Sequence, residues 1–203
     1  MKRKTRVGIF GGTFNPPHNG HIKAAEAFLK QLELDRLLII PTGTPHKVYT
    51  EYVLPEVRLE MCNLAFSILD NTEISEIEIK RSGRGYTYET LQELKSDSVE
   101  LYLLCGTDMF LMLDKWQEPM IIFDLATICL VRRESEEENN VEIQKKISEY
   151  NEKFGARICI IDSVAVELSS TFVRNIFSSG CSAAEYIPKN VVEFINERGL
   201  YKK

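Results

Sequence analysis

The stretch GIFGGTFNPPHNGH, residues 8–21, links a short apolar run to an amphipathic segment, and it decides how the rest of the chain is interpreted. Val7 to Phe10 is typical of a buried strand, and from Gly20 apolar residues recur at helical spacing. A plain connection of this kind needs few residues and rarely histidine. This one holds two adjacent glycines, two adjacent prolines and two of the chain's three histidines. It therefore predicts a loop that does more than connect two elements.

The alternation of strand and helix continues along the chain. Continuous apolar runs, and one alternating stretch at 74–79, predict further strands at 37–40, 74–79, 101–104, 126–131 and 157–161. Helices are predicted in the segments between and after these strands. One covers about 56–69, one runs from a cap at Thr87 to Lys95, and one ends at about Lys153. The last two run from a cap at Ser169 or Ser170 to Phe177, and from Pro188 to before Gly199. Short apolar strands alternating with helices indicate an α/β fold with a doubly wound, mostly parallel sheet. We expect one domain over 1–203, with a small helical subdomain at about 169–203.

Composition narrows the class of protein. The 203 residues are 44% hydrophobic and carry a formal net charge of −5, which disfavours a nucleic-acid-coating role because that needs a basic face. The five cysteines are dispersed without zinc spacing, which is typical of reduced thiols in a cytosolic protein. No apolar run approaches the roughly 20 residues of a membrane span, and the basic N-terminus reaches glycine after a few apolar residues. We expect a cytoplasmic protein without a membrane partner.

The first loop has the chemistry of a phosphate site. In such sheets ligands bind beyond the carboxyl ends of the strands. Gly11 and Gly12 let a ligand approach the backbone N–H groups, and the following helix adds its unpaired N–H groups and positive dipole end. His18 and His21, three residues apart, can face one phosphate. Zinc binding is disfavoured because HExxH spacing and an obvious third ligand are lacking, and neither of the common phosphate-loop motifs matches. The alternative is a tight turn with two surface histidines.

A second phosphate cradle is predicted near the end of the chain, in LSSTFVR, residues 168–174. It places hydroxyls and N–H groups at a helix start with Arg174 one turn further. The third histidine, His46, lies beside Lys47 in the segment that follows the second strand. All three histidines therefore fall in proposed phosphate loops.

These motifs together carry a family resemblance. GGTFNPPHNGH resembles the GTFDPxHxGH loop of the nucleotidyltransferase superfamily, with Asn15 in place of the commoner Asp. LSSTFVR is similar to the [IL]SSTx[IV]R motif of nicotinate and nicotinamide mononucleotide adenylyltransferases. Further segments resemble those of the bacterial nicotinate mononucleotide enzymes, in the same order over the full chain. They are PTGTPHK (41–47), RGYTYETL (84–91), LCGTDMF (104–110) followed by Trp116, and YIPKNVV (186–192) followed by Tyr201. This chain departs from the family in having Thr44 where proline is usual and Gly85 where serine is usual.

The resemblance implies a Rossmann-like nucleotidyltransferase fold and an adenylyltransferase of NAD biosynthesis. Nicotinate mononucleotide and ATP would give nicotinate adenine dinucleotide and pyrophosphate. ATP would bring Mg²⁺, with no metal site built by the protein. The partners would be the two nucleotides, without nucleic acid or membrane, and a homo-oligomer is compatible with the resemblance.

The resemblance also assigns residues. The ATP-binding set would be Gly11, Gly12, Thr13, Phe14, His18, His21, Gly106, Asp108, Ser170, Thr171 and Arg174. The catalytic set would be His18, His21, Lys47 and Arg174. The mononucleotide-binding set would be Asn15, His46, Lys47, Tyr86, Thr87, Trp116 and Gln117. Trp116 would stack on the pyridine ring, and Asp108 would lie near the ATP ribose or the metal-phosphate region.

Two alternatives stay open at this point. A transferase on the same fold could act on phosphopantetheine or glycerol phosphate, although the segments around Thr87, Trp116 and Arg174 argue against it. A non-catalytic nucleotide sensor could also use the fold, but binding alone would not need both phosphate cradles. Release of pyrophosphate separates an enzyme from a sensor.

Overall fold

The protein is described from a computed structural model, which covers residues 3–44, 53–81, 85–132, 140–163 and 168–202. Within these residues the strands are β1 (Thr5–Gly12), β2 (Arg36–Pro41), β3 (Thr72–Ile74), β4 (Val99–Gly106), β5 (Ala126–Arg132) and β6 (Ile158–Asp162). They form one sheet in the order β3-β2-β1-β4-β5-β6, and every described pairing is parallel. The predicted doubly wound α/β class is confirmed.

Helices connect successive strands and follow the last one. Their bounds are α1 (Asn19–Gln31), α2 (Pro55–Phe66), α3 (Ile77–Lys80), α4 (Thr87–Leu94), α5 (Thr107–Leu111), α6 (Pro119–Leu125), α7 (Asn140–Phe154), α8 (Ser170–Ser178) and α9 (Lys189–Glu197). A 3₁₀ turn lies at Leu113–Lys115. In the described part of the chain, none of these helices has the length and apolarity needed to cross a membrane.

Alternate residues of the strands build two separate cores, one on each face of the sheet. Leu37 and Ile39 pack in the cluster that contains residues of α1, α2, α8 and α9. Leu38 and Ile40 pack on the opposite face with residues of α4 to α7. Both faces of β2 are therefore buried, which explains why its sequence is a continuous apolar run instead of an alternating one. The helices of 169–203 share the first core, and the assignment of these residues to a subdomain stays a prediction.

The strand order puts the site where the direction of winding changes. The chain proceeds outward from β1 to β2 and β3, and then returns to β4 on the other side of β1. The loops that follow β1 and β4 leave the sheet in opposite directions, so a crevice opens between them at the carboxyl ends.

Two local predictions were wrong. The alternating stretch 74–79 forms a strand only through Ile74, because β2 ends at Pro41, which has no N–H to continue the ladder. Its later residues form α3, with the Glu78 side chain buried. Thr87 is the first residue of α4 and not its cap, since Tyr86 holds the extended N-cap conformation. Of the two serines proposed as a cap, Ser169 caps α8, with its Oγ accepting from the Phe172 N–H at 3.1 Å.

Candidate active site

A cavity of about 410 Å³ opens at the carboxyl ends of β1 and β4, where the sheet order predicts a ligand. Its wall combines the loops after these two strands with the starts of α1 and α8. Nine of the eleven residues predicted to bind ATP line it: Gly11, Gly12, Thr13, Phe14, His18, His21, Gly106, Asp108 and Ser170. Segments from residues 10–24, 104–109 and 168–170 thus form one concave surface.

The two histidines form a closely packed pair at the start of α1. His18 is the N-cap residue and is buried, and its ring lies 3.6 Å from the His21 ring, centroid to centroid, in a stacked arrangement. The backbone N–H of His18 donates to Nδ1 of His21 at 3.1 Å. Because Nδ1 accepts this bond, neutral His21 carries its proton on Nε2. His21 is therefore held as an Nε2–H donor within the cavity wall.

Phe14 supports the His21 ring. Its own ring is buried and lies 5.0 Å from that of His21 and 5.4 Å from that of Phe10, edge to face in both cases. Its backbone has a φ of 48°, in the left-handed region that a bulky residue rarely adopts. Such a conformation persists only where the surroundings fix it. The loop therefore depends on specific contacts to keep its shape.

The glycines of the wall differ in what they leave open. An added Cβ would meet no atom within 4 Å at Gly11 or Gly106, so the space beside these residues can be taken by a ligand. At Gly12 it would lie 3.0 Å from the Phe14 ring. Gly12 is therefore needed for packing inside the loop, whereas Gly11 and Gly106 leave backbone accessible from the cavity.

The second half of the first loop is held from the C-terminal helices. Arg174 of α8 donates from Nη1 to the Asn15 carbonyl oxygen at 2.8 Å, and Ser170 Oγ donates to the Pro16 carbonyl oxygen at 2.9 Å. Asn15 is buried, and its Oδ1 accepts from the Tyr201 hydroxyl at 2.5 Å. Arg174 Nη2 also donates to Oγ1 of the exposed Thr171 at 3.1 Å. Arg174 and Thr171 both lie outside the cavity lining.

Comparison with known proteins agrees with this geometry. The sequence model of the cytidylyltransferase-like family matches residues 9–178. The chain belongs to this family. A probable nicotinate-nucleotide adenylyltransferase of Clostridium tetani is 32% identical over 205 residues, which cover 100% of both chains. One from Clostridium botulinum (strain Kyoto) is 35% identical over 197 residues, covering 96% of this chain and 98% of the relative. The predicted resemblance to nicotinate-nucleotide adenylyltransferases is confirmed.

Solved structures agree on the fold. Plasmodium falciparum nicotinic acid mononucleotide adenylyltransferase complexed with NaAD superposes with a TM-score of 0.77 at 17% identity, over 97% of each chain. The same enzyme complexed with APC gives a TM-score of 0.75, also at 17% identity and over 97% of each chain. At 17% identity this similarity shows that the cytidylyltransferase-like chain has the same fold.

Five of the residues predicted to bind the mononucleotide are described by the structure, and all five lie outside the lining of this cavity: Asn15, Tyr86, Thr87, Trp116 and Gln117. Tyr86 and Thr87 stand at the start of α4, and Trp116 is partly buried against the core that α4 to α7 share. Gln117 is exposed. Asp114, two residues before Trp116, accepts from Lys146 Nζ at 3.1 Å and from the Tyr150 hydroxyl at 3.2 Å. The segment that carries Trp116 is therefore anchored on α7.

The glycine that departs from the family pattern lies against a buried carboxyl group. An added Cβ at Gly85 would lie 2.7 Å from Oε2 of Glu78, so a serine here requires that side chain to move. Burial raises the pKa of Glu78, and the hydrogen bond from Thr90 Oγ1 at 3.3 Å acts in the opposite direction. Gly85 thus faces a filled site and not an open space.

Other lining residues of the cytidylyltransferase-like chain were missed by the sequence analysis. Those on the strands, their following loops and α5 are Leu104, Thr107, Met109, Val131 and Ser163. Each lies at or just after the carboxyl end of a strand, so applying that rule to β4, β5 and β6 would have found them. His46 and Lys47 lie outside the described residues.

Proposed function

We propose that this protein is a nicotinate-nucleotide adenylyltransferase, which joins nicotinate mononucleotide to ATP and releases pyrophosphate. The observation that carries the proposal is the convergence of His18, His21 and the glycine backbone on one cavity at the β1 and β4 ends. The Clostridium relatives of this name, which match over nearly their whole length, support the choice of substrates. The group transferred is the adenylyl moiety.

The proposed reaction needs no protein nucleophile. A phosphate oxygen of nicotinate mononucleotide attacks the α-phosphorus of ATP, a new P–O bond forms, and the bond to the β-phosphate oxygen breaks as pyrophosphate leaves. The attacking phosphate is already anionic at neutral pH, so a general base is not required. The protein therefore has to align two polyanions and stabilise the charge that develops at the α-phosphate.

The described cavity supplies donors for this task. His21, with its proton on Nε2, is assigned to the α-phosphate, and His18 to the neighbouring phosphates. The backbone at Gly11, Gly12, Thr13, Phe14 and Gly106 and the start of α8 at Ser170 and Thr171 are assigned to the rest of ATP. Arg174 and Lys47 would hold the outgoing phosphates. Arg174 would then exchange its bond to the Asn15 carbonyl for one to phosphate, or keep the loop in place while ATP binds.

A divalent metal fits this site as part of the nucleotide. Among the described lining residues Asp108 is the one carboxylate, and the described residues form no group of three or more metal-ligating side chains. Mg²⁺ is usually bound through one or two carboxylates, substrate phosphates and water. We therefore assign Mg²⁺ to ATP, with Asp108 as the side chain nearest to it or to the ribose. The bound Mg²⁺ would neutralise negative charge on the ATP phosphates.

We assign the mononucleotide to the residues that the family resemblance predicts for it: Asn15, His46, Lys47, Tyr86, Thr87, Trp116 and Gln117. Thr87 is the first residue of α4, so its N–H has no acceptor inside the helix and is suited to an anionic carboxylate. The Trp116 ring would stack on the pyridine. Nothing in this assignment needs a nucleic acid or a membrane, and the net charge of −5 disfavours a nucleic-acid-coating role. We propose a cytoplasmic enzyme of one domain.

Turnover tests the proposal directly. Purified protein is mixed with MgATP and nicotinate mononucleotide, and both pyrophosphate and the dinucleotide are measured. We expect the two products in equal amounts. Product formation with phosphopantetheine or glycerol phosphate instead, or nucleotide binding without any pyrophosphate, would replace the proposal with one of the alternatives.

Substitution of Trp116 by alanine should raise the KM for the mononucleotide about tenfold or more, because stacking of a base on an aromatic ring contributes roughly 1–3 kcal/mol. The KM for ATP should change much less. Initial rates at varied concentration of each substrate measure both constants. Phe154→Leu is the matched control, since this ring also packs against the same core but stacks on Phe123. Equal effects of both substitutions would assign Trp116 to the core.

A further inference from the structure

Arg58, in the first turns of α2, has a side chain that the proposed reaction does not use. The residue is 1% exposed, although arginine is rarely buried so completely in a helix of a globular protein. Arg58 is outside the lining of the cavity, but its guanidinium group contacts the backbone of Thr13, which is part of that lining.

The hydrogen bonds of Arg58 reach three separate segments. Nη1 donates to the Thr13 carbonyl oxygen at 2.8 Å, in the loop after β1. Nη2 donates to the carbonyl oxygens of Thr42 at 2.6 Å and Gly43 at 3.0 Å, in the loop after β2. Nε donates to the Val53 carbonyl oxygen at 3.2 Å. One planar group with donors in a fixed fork therefore ties the two loops to each other and to α2.

These bonds fix the orientation of peptide groups in the cavity wall. In a trans peptide the C=O and the N–H point in opposite directions, so holding the Thr13 oxygen toward Arg58 turns the Phe14 N–H away from it. Both residues line the cavity. Phe14 is also the residue with a φ of 48°, which needs surroundings that fix it. Arg58 acts on the N-terminal side of Phe14, and Arg174 acts on the C-terminal side, at Asn15.

The second loop is clamped from two sides. Arg58 holds the carbonyl of Gly43, and an added Cβ at Gly43 would lie 2.4 Å from the Glu78 carbonyl oxygen, so α3 packs directly on this backbone. The Thr42 N–H in turn donates to the Gly12 carbonyl oxygen at 2.9 Å. The starts of the loops after β1 and β2 are thus joined by this backbone bond, and Arg58 adds the side-chain bonds that hold Thr13, Thr42 and Gly43 beyond it.

We propose that Arg58 is a positioning residue, whose guanidinium sets the geometry of the phosphate-binding wall by locking the loops after β1 and β2 together before ATP binds. This inference rests on the proposed function only for its effect on turnover. Its structural part, a preformed wall, concerns the free protein. A displacement of about 1 Å in a catalytic group can cost on the order of 100-fold in rate, so loss of the lock should appear in kcat.

Arg58→Lys is the decisive variant, because an ammonium group keeps the charge but cannot span three segments. We expect kcat to fall about 10- to 100-fold and backbone amide exchange to accelerate at residues 11–15 and 42–44. Met61→Val is the control: Met61 is fully buried one turn further along α2 and packs in the core without being in the cavity lining. It should lower Tm while leaving kcat and exchange in both loops unchanged. Unchanged loop exchange and kcat in Arg58→Lys would overturn the proposal.

A measurement on the unmodified protein decides the matter if Arg58→Lys does not fold. In ¹⁵N-labelled protein the Arg58 guanidinium protons should exchange slowly and keep their chemical shifts when a non-hydrolysable ATP analogue is added. Rapid exchange in the free protein would overturn the preformed lock. If the proposed function is wrong, the unmodified protein makes no dinucleotide. Amide exchange in the loops, and ATP binding measured by calorimetry, would in that case still distinguish Arg58→Lys from Met61→Val.

Discussion

His21→Ala should reduce turnover by about 100-fold or more while leaving the melting temperature close to that of the unmodified protein. Removal of one donor that stabilises developing charge costs about 10²–10³ in kcat. His21 is held with Nδ1 bonded to the His18 N–H, which leaves Nε2 as the proton-bearing atom, and it lies in the wall of the cavity. The measurement is kcat for pyrophosphate release at saturating substrates, together with Tm by calorimetry.

A pair of amide substitutions at the same position separates the donor from the volume of the ring. The glutamine amide in His21→Gln extends about as far as Nε2, whereas the asparagine amide in His21→Asn ends near Nδ1. We expect glutamine to retain more activity than asparagine, and asparagine to resemble alanine. If alanine leaves the rate near that of the unmodified protein, His21 has no role in the reaction. A large fall in Tm with a matching loss of activity would instead assign the ring to loop packing with Phe14.

The strands of the sheet could be predicted because both faces are covered. Burial on two sides makes Leu37 to Ile40 a continuous apolar run, which stands out from any helix or loop pattern. The stretch 74–79 alternates as a half-exposed strand does, in which every second residue faces water, but only its first residue belongs to a strand. In the structure Glu78 is buried in a short helix that follows the edge strand β3.

The first loop could be predicted as a site because its whole motif is local. Residues 11 to 21 hold glycines, histidines and the start of a helix within eleven consecutive residues. In the structure these glycines and histidines line the cavity. Arg58 could not be found in this way. In sequence it is one more charged residue of a predicted helix, and its acceptors at Thr13 and Gly43 become neighbours only through the fold.

The selectivity between nicotinate mononucleotide and nicotinamide mononucleotide is the second property for which we expect a large effect. Nicotinate presents two carboxylate oxygens, both acceptors, whereas nicotinamide presents one oxygen and an NH₂ group of similar shape. Thr87 begins α4, so its N–H has no acceptor in the helix, and Gln117 precedes Glu118, whose left-handed backbone turns the chain into α6. Two backbone donors at these positions would both be satisfied by the acid, but the amide would turn its NH₂ toward one of them.

Nicotinate mononucleotide should therefore be preferred about tenfold to several hundredfold over nicotinamide mononucleotide, because a buried donor left unpaired costs about 1–3 kcal/mol. Gly85, at the usual serine, can shift this ratio to its lower end, since it lies directly before Tyr86 and Thr87. Competition between the two mononucleotides at equal concentration, with both dinucleotides quantified, gives the ratio of kcat/KM directly. Gly85→Ser measures the contribution of the glycine, together with the shift of Glu78 that its Cβ requires. A higher ratio in this variant would assign the lower selectivity to a looser α4 start. Equal rates for the two mononucleotides in the unmodified protein would contradict a pocket built from backbone donors, whatever the residue at position 85.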